Sequence, residues 1–249
     1  GGGAPKNNAP VRFLALLSKA SSKQFLSPKA SFTLAEVLTT LGIIGIVAAM
    51  TLPALIQKYQ KQETSARLKK FYTTMNQAIM MSEIDNGDMR YWDFDTTGYS
   101  VDGQKDHARV SELCENFFNR YLKKYLKYYS YEKGLNTSDE NGATVFTTNR
   151  IIFYDGTIAY LNAGSCYDLL FDTNGDRKPN QNGRDRFTLY LCPYGQKNKL
   201  NPNEKVTTAA SPGGNDRNGA YNLCKKSAYY CARLLQIDNW EFKSDYPWW

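Results

Sequence analysis

The sequence has 249 residues, of which 42% are hydrophobic, 22% charged and 14% aromatic, with five cysteines and one histidine. That is room for a membrane anchor and one globular domain of about 150 to 190 residues, and the apolar content excludes a wholly disordered chain. With His107 as the lone histidine and no Cys-x-x-Cys pair, the sequence offers no zinc-ligand pattern.

Residues 1–31 read as a leader. GGGAPKNNAP is rich in Gly, Pro and Asn, and VRFLALL is an apolar run too brief to span a bilayer. Lys6, Arg12, Lys19, Lys23 and Lys29 are its only charges, so five of the chain's net +7 reside there and +2 is left on the remainder. A basic flank of this kind orients a following span with its basic end in the cytoplasm. It is no sign of nucleic-acid binding, and a remainder at +2 gives none either.

Phe32 to Ile56 reads FTLAEVLTTLGIIGIVAAMTLPALI. The 20 residues from Val37 to Ile56 carry no charge. At about 1.5 Å per helical residue they reach about 30 Å, the thickness of a hydrocarbon core. One acid, Glu36, stands at the N-terminal edge, where an unpaired carboxylate is costly. The run SFTLAEVLTTLGIIGIVAAMTLPAL resembles the cleavage and methylation segment of type IV pilins and type II secretion pseudopilins. The match covers Ser31, Phe32, Thr33, Leu34, Ala35 and Glu36, with Pro53 where family members often carry a proline.

The resemblance implies cutting between Ser31 and Phe32 by a membrane-embedded prepilin peptidase, then methylation of the new Phe32 amine. The family usually has Gly where Ser31 stands. It also implies that Glu36 meets the amine of a neighbouring subunit as that subunit joins a filament. Within one helix Glu36 also lies four residues from its own Phe32. The alternative reading is a generic anchor with an incidental acid beside the headgroups.

Beyond the anchor, QKYQKQETSARLKKFYTTMNQAIMMSEIDNGD continues as helix. Leu68, Phe71, Met75 and Ile79, with Tyr72 and Ala78, form a stripe at three- and four-residue steps, and Asn86-Gly87 ends it. Residues 88–110 read as loop. SELCENFFNRYLKKYLKYYSYEK has helical spacing; its basic and aromatic mixture suits either a solvated amphipathic helix or stacking on single-stranded nucleic acid. From Ala143 the period changes. TVFTTNRIIFYDG and TIAYL form a hairpin about Asp155-Gly156, and YDLLF and RFTLYL are two more strands. Polar loops follow, then a short helix around LCKKSAYYCARLLQ and the tail IDNWEFKSDYPWW.

Between the last two strands, Asp172, Asn174, Asp176, Asn180 and Asp185 offer oxygen ligands within 14 residues, and Asp172-x-Asn174-x-Asp176 has the alternating spacing of a Ca²⁺ loop. It is not an EF-hand, because Gly183 stands at the twelfth position from Asp172 and Arg177 at the sixth. The segment resembles the Asp-x-Asn-Gly…Pro-Asn…Gly-x-Asp loop of pseudopilin-type domains, which implies structural calcium at Asp172, Asn174, Asp176 and Asp185. A metal-free turn, in which side chains cap the loop's own amides and nearby arginines balance the acids, is the competing reading. Cys114, Cys166, Cys192, Cys224 and Cys231 all lie in the exported part, where disulfides persist, and an odd count leaves one outside any pair. Cys224 and Cys231 could close a small loop only if CKKSAYYC is not one straight helix, which would hold their Cα atoms about 10 Å apart.

The expected fold is α+β and pilin-like: a long N-terminal helix, transmembrane in its first half, on an antiparallel sheet of about four strands. The expected organisation is a leader 1–31, a transmembrane and polymerisation helix 32–56 and an extracytoplasmic domain 57–249. The function implied is a structural, non-enzymatic subunit of a filament rooted in the bacterial inner membrane, in type II secretion or a pilus-like machine. Its partners would be other subunits, an assembly ATPase, a membrane platform and lipid. A minor tip subunit that binds sugar or DNA through Tyr91, Trp92, Trp240, Trp248 or Trp249 is the alternative. No nucleophile elbow, P-loop, HExxH or GxGxxG appears in a fitting context.

Overall fold

The computed structural model describes residues 32–94, 100–101, 104–138, 144–164, 166–192, 204–208 and 214–249. The leader, Ser31 included, and most of the two late polar loops lie outside the described residues. The fold is α+β, and the chain falls into two units, Gly1–Thr51 and Leu52–Trp249.

The first unit contributes the opening of helix α1, which runs Leu34–Asn86 over 53 residues. This stretch is long and apolar enough to cross a membrane. Its large side chains stand in the open: Leu38, Ile43 and Met50 are 60%, 63% and 74% exposed. Thr39, Thr40 and Thr51 return their hydroxyls to the carbonyls of Glu36, Val37 and Val47, so none of these three hydroxyls needs water.

In the second unit the rest of α1 buries Thr64, Leu68, Phe71, Met75, Ala78, Ile79 and Ser82, the expected stripe extended by a turn at each end. Phe71 stacks on Phe171 of the sheet with ring centroids 4.0 Å apart. The helix stops at Asn86 because Gly87 takes φ +76°, a left-handed C-terminal cap that glycine adopts without cost. A 3₁₀ turn, Met89–Tyr91, and a two-residue hairpin, β1 (Ser100–Val101) with β2 (Gln104–Lys105), then lead into α2.

Helix α2 (His107–Phe117) begins inside the stretch expected to be loop, since the Asp106 carboxylate accepts from Arg109 N at 3.0 Å and caps it. Its apolar side joins the core through Val110, Leu113, Cys114 and Phe117. A π turn, Phe118–Leu122, closes it, and the following residues do not continue the expected helix. Instead Ser130–Ser138 form β3, pairing with β4 (Thr144–Ile152). The pairing wins because Tyr131 lies opposite Ile151 and Glu132 pairs with Arg150 at 2.7 Å, partners no helix would supply.

The main sheet therefore has five antiparallel strands rather than four, in the order β3-β4-β5-β6-β7, with β5 Ile158–Ala163, β6 Tyr167–Asp172 and β7 Arg186–Leu191. The β4–β5 connection turns at Asp155-Gly156 as expected, with Gly156 at φ +78°. The two margins are irregular. On β3 the register shifts between Glu132 and Leu135, and β7 exchanges two backbone hydrogen bonds with Thr207 through Tyr190.

The last helical stretch splits into α3 (Arg217–Lys226), a 3₁₀ turn (Ala228–Tyr230) and α4 (Cys231–Ile237). Ser227, extended at φ −152° and ψ 126°, makes the break. That break brings the Cα atoms of Cys224 and Cys231 to 4.5 Å, and they form a disulfide. Cys166 and Cys192 form a second one, joining the start of β6 to the end of β7. Cys114 belongs to neither; its buried thiol donates to Leu161 O at 3.2 Å.

Candidate functional site

Two sets of residues carry the chemistry expected from the sequence. The first opens α1. Thr33 stands just before the helix, and the Glu36 carboxylate accepts from Thr33 N at 2.8 Å and from Thr33 Oγ1 at 2.9 Å. Glu36 N donates back to Thr33 Oγ1 at 3.2 Å. Thr-x-x-Glu is thus a reciprocal capping box, which satisfies backbone donors that the first helical turn leaves open. The motif is legible as Thr33-Leu34-Ala35-Glu36, though a search for charge pairing alone passes over it. Both bonds fall on one carboxylate oxygen, Oε2. Phe32 lies outside the helix and is 83% exposed.

The second set is the β6–β7 connection, residues 173–185. Asp172 closes β6 directly opposite Arg186 at the start of β7, and Arg186 Nε donates to Asp172 Oδ2 at 2.8 Å. Their side chains are 0% and 3% exposed. Burial pushes the Asp172 carboxyl up to about 7, with the Arg186 guanidinium pulling the other way. Asp185 accepts from Asn180 N at 2.8 Å, Gln181 N at 2.6 Å and Asn174 Nδ2 at 2.9 Å. Burial still raises its pKa above the ordinary value, despite those bonds. Asp176 is 71% exposed and pairs with Arg150 at 3.1 Å. The loop also carries the Lys178–Pro179 cis peptide, and Asn180 at φ 56°.

Gly175 shows how closely the loop sits on the β4–β5 turn. It takes φ +70°, and a Cβ added there would lie 2.4 Å from Gly156 O. Only glycine fits that approach. From the other side, Arg67 of α1 donates to Thr173 O at 2.7 Å.

These contacts decide whether Asp172, Asn174, Asp176 and Asp185 fit a calcium ion. Ca²⁺ takes six to eight oxygens, several of them charged. Here the Asp172 and Asp176 carboxylates face guanidinium groups, and Asp185 is filled by N–H donors. The amide oxygens of Asn174, Asn180 and Asn182 are buried without a hydrogen-bond partner, but three neutral oxygens fall short of such a shell. As the loop stands, the four residues do not fit the ion. Arg186 is one of the loop cations expected to balance the acids, and the strand register supplies its particular partner, Asp172.

The aromatic residues named for a binding role are mostly structural. Trp92 stacks on Tyr121 at 4.3 Å and is 5% exposed, Trp240 is buried, and Trp248 and Trp249 pack partly against the core. Tyr91 is the exception, at 83% exposed.

An apolar helix and a disulfide-braced α+β domain together define the class of protein this is. The chain belongs to a family of unknown function (DUF6613), which matches residues 54–249. No curated protein and no solved structure matches it. The family match lies within the second unit and begins one residue after Pro53, so Ser31–Glu36 and most of the apolar stretch lie outside it.

Proposed function

We propose that the chain is a pilin-like structural subunit of a helical filament rooted in the bacterial inner membrane, working in type II secretion or a pilus-like machine. The observation that carries this reading is the first part of α1, whose apolar side chains are exposed on every side behind a single acid at the first turn. Such a surface calls for lipid, and then for neighbouring helices when the subunit leaves lipid. Gly42 and Gly45 favour the exchange: a Cβ at either would meet nothing within 4 Å, leaving room for a second helix to approach closely. The prepilin peptidase, an assembly ATPase and a membrane platform supply the work. This chain supplies a handle and a surface domain, and its β6–β7 loop is held by its own arginines in place of calcium.

Mass spectrometry of the protein recovered from its native membrane tests processing, with methylated Phe32 as the expected N-terminus. Glu36 is tested by two variants. Glu36→Gln preserves an oxygen for Thr33 and removes the charge, whereas Glu36→Ala removes both. Both insert in the membrane, and both assemble about tenfold less or worse, the scale of one lost charge-assisted hydrogen bond. If Glu36→Gln assembles like the wild type, the acid is a helix cap and no more.

A further inference from the structure

A groove of about 540 Å³ opens between the later half of α1, the β4–β5 turn and residues 125–127. Its size falls in the usual range for a small-molecule site. The floor is aromatic: Phe71 stacks on Phe171, and Phe153 meets Phe71 edge-on with centroids 5.8 Å apart. Tyr154 at the mouth is 76% exposed and Met81 45% exposed, so apolar surface is held in water on both sides.

Charge at the rim is lopsided. Arg67, Lys70 and Lys127 line the groove against one acid, Asp155. That acid is already engaged, accepting from Lys70 Nζ at 2.8 Å and Thr157 Oγ1 at 2.7 Å. Arg67 is held by Glu63 and by Thr173 O. Lys127 makes no ion pair among the described residues and stands exposed at the edge. A flat ring over Phe71 and Phe153 gains offset or edge contacts, while an anion on that ring reaches an uncommitted ammonium group.

We propose that this groove binds a small aromatic carboxylate, its ring on the phenylalanine floor and its carboxylate at Lys127. The site belongs wholly to the second unit and does not depend on the filament reading.

The test uses the full chain in zwitterionic nanodiscs with ¹³C-methyl methionine, titrated with 2-naphthoate. Met81 lines the groove, Met75 is fully buried in the core and Met50 lies in the apolar part of α1, so each reports a different event. Saturable movement of the Met81 methyl, with Met75 and Met50 still, is expected. Lys127→Glu and the uncharged probe 2-naphthamide should each weaken binding about tenfold. Thr74→Trp, which fills the groove, should abolish it. A Met81 signal unmoved at the solubility limit overturns the proposal. So does binding indifferent to both charge changes, or Met81 and Met50 drifting together without saturation, which is partition into lipid.

Discussion

Asp172 and Arg186 face each other across two strands with almost no access to water. Removing one member of such a pair strands a charge, at a cost of about 3–5 kcal/mol, whereas replacing both by apolar groups is often nearly neutral. Arg186→Met should therefore lower the urea midpoint sharply, and Asp172→Leu added to it should recover most of the loss. The wild type should show the same thermal midpoint in chelator and in millimolar Ca²⁺; a clear rise with Ca²⁺ would restore the calcium reading of the loop. Asp155 gives a pH signature. Burial acts to raise its pKa, but the hydrogen bonds from Lys70 and Thr157 outweigh that, so the folded value lies below the ordinary 3.8. Its contribution is then present above about pH 4 and lost as pH falls through the depressed value. Asp155→Asn should lower stability at neutral pH and flatten the acid limb of a stability-against-pH curve, so that variant and wild type converge once the pH falls below the depressed value.

Among the elements, the two disulfides differ in the loop each closes. In the chain-entropy account, a 26-residue separation is worth about 3–4 kcal/mol and a 7-residue one about 2–3 kcal/mol. Replacing Cys166 and Cys192 together by alanine should thus cost about 1 kcal/mol more than replacing Cys224 and Cys231, measured by denaturant unfolding. The 7-residue bridge depends on the break at Ser227, which no periodicity announces: LCKKSAYYCARLLQ reads equally as one helix. Other elements were plain. The stripe from Leu68 to Ile79, the stop at Asn86-Gly87, the turn at Asp155-Gly156 and the last two strands all follow from local pattern. Strand β3 was hidden because Tyr131 and Lys133 suit a helix face as well as a strand, and only the partners on β4 decide. The loop acids were visible as a group, but their partners Arg150 and Arg186 are set by register, a long-range property.

Across the whole molecule, every buried side chain of α1 lies at or beyond Thr64, inside the family match that starts at residue 54. A fragment of residues 54–249 should therefore fold in solution without detergent, with a thermal midpoint within about 3 °C of the full chain, as read by circular dichroism. A molten spectrum would mean that residues before 54 contribute to the core. The sheet margins carry one more consequence. Unpaired strand edges invite other chains to add strands, and irregular pairing or a covering bridge discourages it. Here the β3 side is kinked by its register shift and the β7 side is partly occupied by Thr207. Neither flank offers a straight template, so copies of this domain crowded side by side have no easy route into runaway cross-strand fibres. Whatever order they take must come from somewhere other than the sheet.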